Sequence, residues 1–277
     1  MRAGVISRCD LDRALETASK VIELLRARGV EVSVETDTAL ALGLDGGNTN
    51  LADLDGDFVV AIGGDGTILR VAMEMRRAET PIFGVNMGRR GFLSEVDPLE
   101  VEKALGWLME GNYYLEEAMK VQSSVKGGDT LPDALNEVLI STSLPSKMLL
   151  LRISIDGQAF TEIQADGVLI SSPTGSTAYN LSAGGSIVAP GVDALCVTAI
   201  CPYSYFKSMV VPSSATIRVE LLKPKTEAMA IVDGRNFTPL NPGAILEATG
   251  SPHKTRFIRF RPFYARLNRR MMYLHKG

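Results

Sequence analysis

Gly63, Gly64, Asp65, Gly66 and Thr67 follow one another directly, and their types suit one kind of chemistry. Glycines let a backbone approach a ligand closely and take up positive φ angles. Where such a run opens a helix, the first turn offers unpaired N–H groups and the positive end of the helix dipole to phosphate. A carboxylate in its middle is unusual, because it repels the anion being bound. Asp65 therefore points to a hydroxyl proton or a metal, and so to phosphoryl transfer to an alcohol. The run also fits a tight Asp-Gly turn that only caps a helix, and residue types alone leave both readings open. Neither the G-x-G-x-x-G dinucleotide fingerprint nor the G-x-x-x-x-G-K-[ST] phosphate loop is matched, which disfavours dehydrogenase and P-loop ATPase chemistry.

Residues 166–185 read Asp-Gly-Val-Leu-Ile-Ser-Ser-Pro-Thr-Gly-Ser-Thr-Ala-Tyr-Asn-Leu-Ser-Ala-Gly-Gly. An apolar strand runs into a Ser/Thr/Gly loop that ends in Tyr179 and Asn180. Small hydroxyls and exposed amides suit hydrogen bonds to ribose, phosphate and a base edge, and Tyr179 can cover a ring face. An ordinary β-loop around a buried tyrosine has the same composition. The only histidines, His253 and His275, lie close to the C-terminus, so a carboxylate is the expected base and a multi-histidine metal site is not expected. Cys9, Cys196 and Cys201 lack CxxC spacing, which argues against a disulfide framework or a zinc knuckle and suits a reducing cytosol.

The elements that must position these residues are legible as patterns. Leu11, Ala14, Leu15, Ala18, Val21, Ile22 and Leu25 recur at helical spacing ahead of Gly29. Residues 30–34 read as a strand, and 57–62 as a continuous apolar run suited to a strand buried on both faces of a parallel sheet. A helix over 68–77 and a strand over 81–85 follow. Val101, Ala104, Leu105 and Leu108 then mark a helix stopped by Gly111. This alternation predicts a three-layer α/β domain. Beyond Tyr113 the runs 121–125, 148–155, 168–171, 194–200, 216–222 and 228–232 are β-like and separated by Gly, Pro, Asp and Ser.

With 277 residues, 45% of them hydrophobic, the chain can bury a full core as one large domain or two modest ones. A net charge of −3 gives no global bias toward nucleic acid or an anionic membrane. The start of the chain is too short in apolar residues for a signal peptide. The most apolar long window, 187–206, is broken by Pro190, Gly191, Asp193 and Pro202, so no membrane span is expected.

Taken together, Gly-Gly-Asp-Gly-Thr at 63–67, Asn136-Glu137 and the 166–185 run resemble the NAD kinase family in order and spacing. Further matches are Asn86-Met-Gly-Arg-Arg-Gly-Phe-Leu93, Pro202 to Pro212, Val232-Asp-Gly-Arg235 and the terminal Phe263-Tyr-Ala-Arg-Leu. The resemblance implies phosphoryl transfer from ATP, or from another donor such as polyphosphate, to the adenosine ribose 2′-hydroxyl of NAD. It implies that Asp65 is the proton acceptor with Gly66 beside it, that Asn136 and Glu137 hold the adenosine ribose, and that Thr177, Ala178, Tyr179 and Ser182 line the dinucleotide. Asp166 would face the nicotinamide half. Arg70, Lys147, Gln164, Thr174 and Arg235 fall where relatives also contact NAD. Arg235 stands where many members carry glutamine, Lys147 where others have histidine or arginine, and Tyr203 where histidine is common; these departures are expected to tune substrate preference.

The resemblance also implies an α/β domain over 1–112, a β-rich, sandwich-like domain over 113–250 and a segment, 251–277, that returns to the first, with the active site in the cleft. This is the architecture shared with phosphofructokinases. Mg²⁺ or another divalent cation would come with the donor phosphates, without a dedicated protein cage. A cytoplasmic homodimer or homotetramer is the usual setting, with neither nucleic acid nor a membrane as partner. Lipid and sugar kinases share the Gly-Gly-Asp-Gly loop, and a non-catalytic dinucleotide sensor could keep the fold; the 166–185 run and the intact Asp65 argue against them.

From Ser251 on, Lys254, Arg256, Arg259, Arg261, Arg266, Arg269, Arg270 and Lys276 occur with no Asp or Glu, interleaved with Phe257, Ile258, Phe260, Phe263, Tyr264, Leu267 and Met271. That is too apolar for a simple basic tail. The segment is expected to dock on the α/β domain, whose first 57 residues carry eleven acidic and six basic side chains.

Overall fold

Apolar runs with no polar residue to show to water must be covered on both faces, which makes them inner strands of a parallel sheet. The computed structural model bears this out at 58–63, where every residue of the strand is buried. It describes the chain except residues 45, 47, 89–90, 129, 145–146, 223–226 and 275–277. Arg89, Arg90, His275 and Lys276 thus lie outside the described residues, as does the side chain of Arg270. The chain forms two compact units, one made of Met1–Glu117 with Thr255–Gly277 and the other of Ala118–Lys254.

The first unit begins β1 (Arg2–Ser7), α1 (Asp12–Ala27), β2 (Glu31–Glu35), α2 (Thr36–Ala41), β3 (Asn48–Thr49), β4 (Phe58–Gly63), α3 (Asp65–Glu74), β5 (Ile82–Asn86) and α4 (Val101–Met109). The strands lie in the order β3-β2-β1-β4-β5, all parallel. α1 buries Ala14, Ala18, Val21, Ile22 and Leu25, one face at helical spacing, and Gly29 at φ 74° ends it. That face packs with Val5, Val60, Ile62, Phe83, Val85 and, from α4, Val101, Ala104, Leu105 and Leu108. α3 starts at Asp65, three residues earlier than the apolar spacing indicates, because the glycine turn feeds straight into the first helical turn. The short α2 was not legible as a helix; it depends on Glu35, whose buried carboxylate accepts from the Thr38 N–H at 2.9 Å and its hydroxyl at 2.7 Å.

The second unit is β-rich. After β6 (Tyr114–Val125) come β7 (Glu137–Thr142), β8 (Leu149–Ile155), β9 (Gln158–Ala165), β10 (Gly167–Ser171), α5 (Tyr179–Ser182), β11 (Ala194–Ile200), β12 (Ser208–Pro212), β13 (Ile217–Leu221), β14 (Ala228–Val232), β15 (Asn236–Leu240) and β16 (Ile245–Arg259). One antiparallel sheet runs β12-β11-β10-β7-β14-β15; in another, β13 lies between β16 and β8, and β8 pairs with β9. β10 is buried throughout, whereas β8 and β13 alternate, as a sheet with one covered face requires. Asp156 and Gly157, at φ 49° and 78°, form the two-residue turn of the β8–β9 hairpin. β9 carries Gln158, Thr161, Glu162 and Gln164, mostly exposed, and this polarity hid it in the sequence.

The last residues of β16 belong to the first unit, followed by α6 (Phe263–Leu274). Phe257 pairs with Ile82 of β5 in parallel, and Phe257 and Ile258 are almost wholly buried. Phe260 meets the Phe83 ring edge-on at 5.7 Å, and Phe263 meets Phe92 at 5.9 Å. The arginines do not seek the acidic first 57 residues, as the charge count suggested. Arg259 meets Glu95 and Glu116, Arg261 meets Glu100, Arg266 meets Glu116, Arg269 meets Asp97 and Arg256 meets Glu117. The strand joins the sheet at its β5 edge, so the carboxylates within reach are mostly those that follow β5 in the chain, with Glu79 just before it 4.0 Å from Arg256.

Apolar burial should therefore dominate this docking. Phe257→Ala is expected to cost about 3–5 kcal/mol, whereas Arg269→Ala, which breaks a half-exposed pair, should stay within about 0–1 kcal/mol. Urea unfolding of the two variants checks this; equal losses would refute it.

Candidate functional site

In the first unit, β4 carries the chain to Gly63 at the carboxyl end of the sheet, and Gly64 turns it in an extended conformation onto α3. Thr67 packs against Gly63 so closely that a Cβ there would overlap its side chain. Gly64 and Gly66 face open space. Asp65 occupies the first helical position, where the dipole favours a negative charge. Its carboxylate accepts from the Phe92 N–H at 2.9 and 3.1 Å and from the Leu93 N–H at 3.1 Å. Two amide donors fall short of the roughly four lone-pair positions of a carboxylate. Asp65 is thus held in one orientation and can still accept a proton or hydrogen bond. The 86–93 run, a match in sequence only, supplies the clasp.

Arg70, also on α3, sits among carboxylates: Glu35 at 3.2 Å, Glu74 at 3.4 Å and Asp37 at 3.5 Å. Burial works against its charge, but Glu35, Glu74 and Asp37 outweigh that and hold its pKa above the ordinary value.

In the second unit the 166–185 run folds as β10, a tight loop and α5. Many of its hydroxyls are structural. Ser172 donates to the Leu135 carbonyl at 2.5 Å and accepts from the Gly175 N–H at 3.1 Å. Ser176 donates to the Pro173 carbonyl at 2.6 Å and accepts from the Val188 N–H at 2.9 Å. Buried Asn180 donates to the carbonyls of Ser176 and Ser186 and accepts from Thr198. Buried main chain claims these side chains first. Thr177 likewise donates to the Thr174 carbonyl at 3.0 Å and is buried. Gly175 lies so close to Asn136 that a Cβ would overlap its carbonyl, which locks the loop onto the 135–137 turn.

That turn is held by a residue whose role the sequence did not show. Asp233, in the β14–β15 hairpin at φ 48°, is buried and accepts from the N–H groups of Leu135 at 2.7 Å, Asn136 at 2.8 Å and Glu137 at 3.0 Å. Its Val-Asp-Gly-Arg context was the available signal. Burial outweighs these hydrogen bonds and the nearby Lys120, and raises the Asp233 pKa. Burial and then Asp233 push Glu137 up to about 8, and its Oε2 is buried without a hydrogen-bond partner. Lys120 is lowered by burial against the pull of Asp133 and Asp233.

Tyr179 is 42% exposed, which removes the reading of a buried tyrosine. Burial of its remainder, with Cys201, Asp166 and Glu137 close enough to act electrostatically, raises its phenol pKa. Glu137, Asp166 and Tyr179 therefore share one neighbourhood of the second unit. Ala178 is half-buried and Ser182 exposed beside it. Thr174 is half-buried; Lys147, Gln164 and Arg235 are exposed, Gln164 on β9 with its main-chain carbonyl accepting from the Tyr203 N–H at 2.7 Å and Arg235 in the hairpin turn. Among the described residues, no group of three or more His, Cys, Asp or Glu could hold a metal ion, and no helix is long and apolar enough to cross a membrane.

Two family models match the chain, the ATP-NAD kinase N-terminal domain over residues 3–113 and the ATP-NAD kinase C-terminal domain over residues 135–260. An NAD kinase of Thermococcus gammatolerans is 41% identical over 94% of each chain. One of Methanothermobacter thermautotrophicus is 39% identical, covering 98% of this chain and 96% of its own. Among solved structures, yeast NADH kinase complexed with NADH superposes with a TM-score of 0.85 at 26% identity, over 97% of this chain and 86% of its own. An NAD kinase from Archaeoglobus fulgidus in complex with ATP gives a TM-score of 0.78 at 26% identity over 99% of each chain.

The raised Glu137 has a consequence for stability. A carboxyl that holds its proton to about pH 8 when folded and to about 4.5 when unfolded binds more protons in the native state between those values, so stability falls as pH rises through that window. Asp233 is raised and contributes in the same sense. The ligand-free protein should melt at a lower temperature at pH 8 than at pH 5, and Glu137→Gln should flatten that dependence. Parallel pH profiles for the two proteins would show that Glu137 is not the group responsible.

Proposed function

The chain belongs to the NAD kinase family, and we propose that Asp65 is the group that takes the proton from the acceptor. The enzyme transfers a phosphoryl group from ATP or another donor to the adenosine ribose 2′-hydroxyl of NAD, giving NADP. A bond forms between the 2′-oxygen and the terminal phosphorus as the bond from that phosphorus to its bridging oxygen breaks. The hydroxyl proton passes to the Asp65 carboxylate. A ribose hydroxyl is a poor nucleophile at neutral pH, and a positioned base contributes roughly 10²–10⁴-fold. The observation that carries this reading is the Asp65 carboxylate, fixed by two main-chain N–H groups at a helix N-terminus with free acceptor capacity and the open Gly66 beside it. The match to NAD kinases, rather than to lipid or sugar kinases or a catalytically silent sensor, names the acceptor.

The other candidates bind the dinucleotide. Asn136 and Glu137 hold the adenosine ribose, on the turn that Asp233 fixes. Ala178, Tyr179 and Ser182 offer exposed or half-exposed surface to the dinucleotide, Thr177 holds the loop they stand on through the Thr174 carbonyl, and Asp166 faces the nicotinamide half. Gln164, Thr174, Lys147 and Arg235 make outer contacts. Arg70 reaches a phosphate only by exchanging one of its carboxylate partners. Mg²⁺, or another divalent cation, would come with the donor phosphates and neutralise their charge. The free thiols of the chain suit the cytosol, and a homodimer or homotetramer is the assembly to look for by light scattering.

Purified protein given NAD, Mg²⁺ and ATP or polyphosphate should form NADP, read with an NADP-specific dehydrogenase. No product with any donor from folded protein that binds NAD would overturn the assignment. Asp65→Asn should lower kcat by about 10²-fold or more with NAD binding little changed; near-wild-type kcat would remove Asp65 as base. Tyr179→Ala should raise KM for NAD with a smaller change in kcat, because stacking is shared by ground and transition states. An unchanged KM would place the ring outside the binding surface.

A further inference from the structure

The clasp on Asp65 is itself held from behind by the end of the chain. Arg259, at the last position of β16 and 2% exposed, donates from Nη1 to the Leu93 carbonyl at 2.7 Å. The N–H of that same Leu93 donates to Asp65. One guanidinium therefore fixes the carbonyl of the residue whose amide aims at the reactive carboxylate, and Phe263 packs edge-on against the Phe92 ring beside it. Arg259 is itself fixed by Glu116 at 2.9 Å and Glu95 at 3.4 Å. Glu95 also accepts from the N–H groups of Phe260 and Arg261, each at 2.9 Å. Arg266 completes the group against Glu116 at 2.5 Å and Glu95 at 3.8 Å. Two buried cations thus face the buried Glu95 and the partly buried Glu116, and the fork of Arg259 is the member that reaches the Asp65 clasp.

We propose that Arg259 is a positioning residue for phosphoryl transfer: by holding the Leu93 carbonyl it fixes the main chain on one side of the Leu93 Cα, and so the N–H on the other side that orients Asp65 toward the acceptor hydroxyl. The burial of the ion group alone does not call for this, since an ion group that served only to dock α6 would need no bond to the Leu93 carbonyl. A planar guanidinium can hold carboxylates and a carbonyl at once, whereas an ammonium is a point charge that cannot match that fork. The inference rests on Asp65 being the base, and its test separates the two claims.

The experiment compares Arg259→Lys, Arg266→Lys, Asp65→Asn and the double variant Asp65→Asn/Arg259→Lys, with rates expressed per folded, NAD-binding molecule and melting temperatures taken in parallel. Both lysine variants keep the charge balance of the buried group. Arg259→Lys should lower kcat about tenfold or more with KM for NAD within about twofold, since small misplacements of a reacting group cost up to ~10²-fold. Arg266→Lys should keep kcat within about twofold. In the Asp65→Asn background, Arg259→Lys should cause no further loss, because its effect passes through that carboxylate. Arg259→Gln, which cannot hold the fork either, should repeat the kcat loss if the lysine variant folds poorly. The inference is overturned if Arg259 variants keep their kcat, if Arg259→Lys costs the Asp65→Asn enzyme as much as it costs the wild type, or if Arg266→Lys loses kcat to the same extent. A near-wild-type Asp65→Asn would instead sink the base assignment and the inference with it.

Discussion

In water the 92–93 segment would sample many backbone conformations, and fixing each residue costs about 1–2 kcal/mol of entropy. A carboxylate that collects main-chain N–H groups offsets part of that cost, because charge-assisted hydrogen bonds are stronger than neutral ones. Asp65 does this for Phe92 and Leu93. The bond works in both directions: it orders the segment, and the segment in turn orients the carboxylate that is proposed to do the chemistry. The second unit uses the same device with other residues, as Asp233 gathers the amides of Leu135, Asn136 and Glu137. There the acid is structural, and the turn it shapes carries the side chains proposed to meet the ribose.

Close approach of main chain to main chain is the other constraint on the second unit. The 172–177 loop rests on the 135–137 turn at Gly175, and Ser172 and Ser176 satisfy the carbonyls and amides that this approach takes from water. Polar side chains buried in this way fix a single loop conformation because each unmade hydrogen bond would cost about 1–3 kcal/mol. What is left facing outward is a short set, with Tyr179 the largest member. The acids beneath it are also shaped by burial. Glu137, beside Asp233, is pushed up to about 8.

The C-terminal residues of the first unit combine both themes. Phe257 and Ile258 bury apolar surface at the β5 edge, which closes an edge that would otherwise expose unpaired N–H and C=O groups. Arg259, Glu95 and Arg266 are ionic and buried, with Glu116 partly so, an arrangement that is weak as a source of stability because desolvation offsets attraction. Such a group confers geometry more than free energy, in keeping with the positioning role proposed for Arg259.

Local pattern determined a good deal by itself. The continuous apolar run at 58–63, the glycine turn after it and the amphipathic spacing of α1 and α4 are properties of short windows, so the α/β half and the place of Asp65 at a helix start could be read from them. The family resemblance was likewise carried by contiguous motifs. Partnership between distant residues has no such local signature. That Arg259 would meet Glu95 and Glu116 rather than the acidic first 57 residues depended on which sheet edge β16 joined. Ser172, Ser176 and Asn180 have the composition of a ligand loop, yet main-chain groups brought near by folding claim their hydrogen bonds. The amphipathic and polar elements α6 and β9 were obscured by their charge. Sequence dictates what each side chain can donate, accept or bury; only the tertiary structure decides which partner reaches it first, because that choice depends on desolvation and distance between segments far apart in the chain.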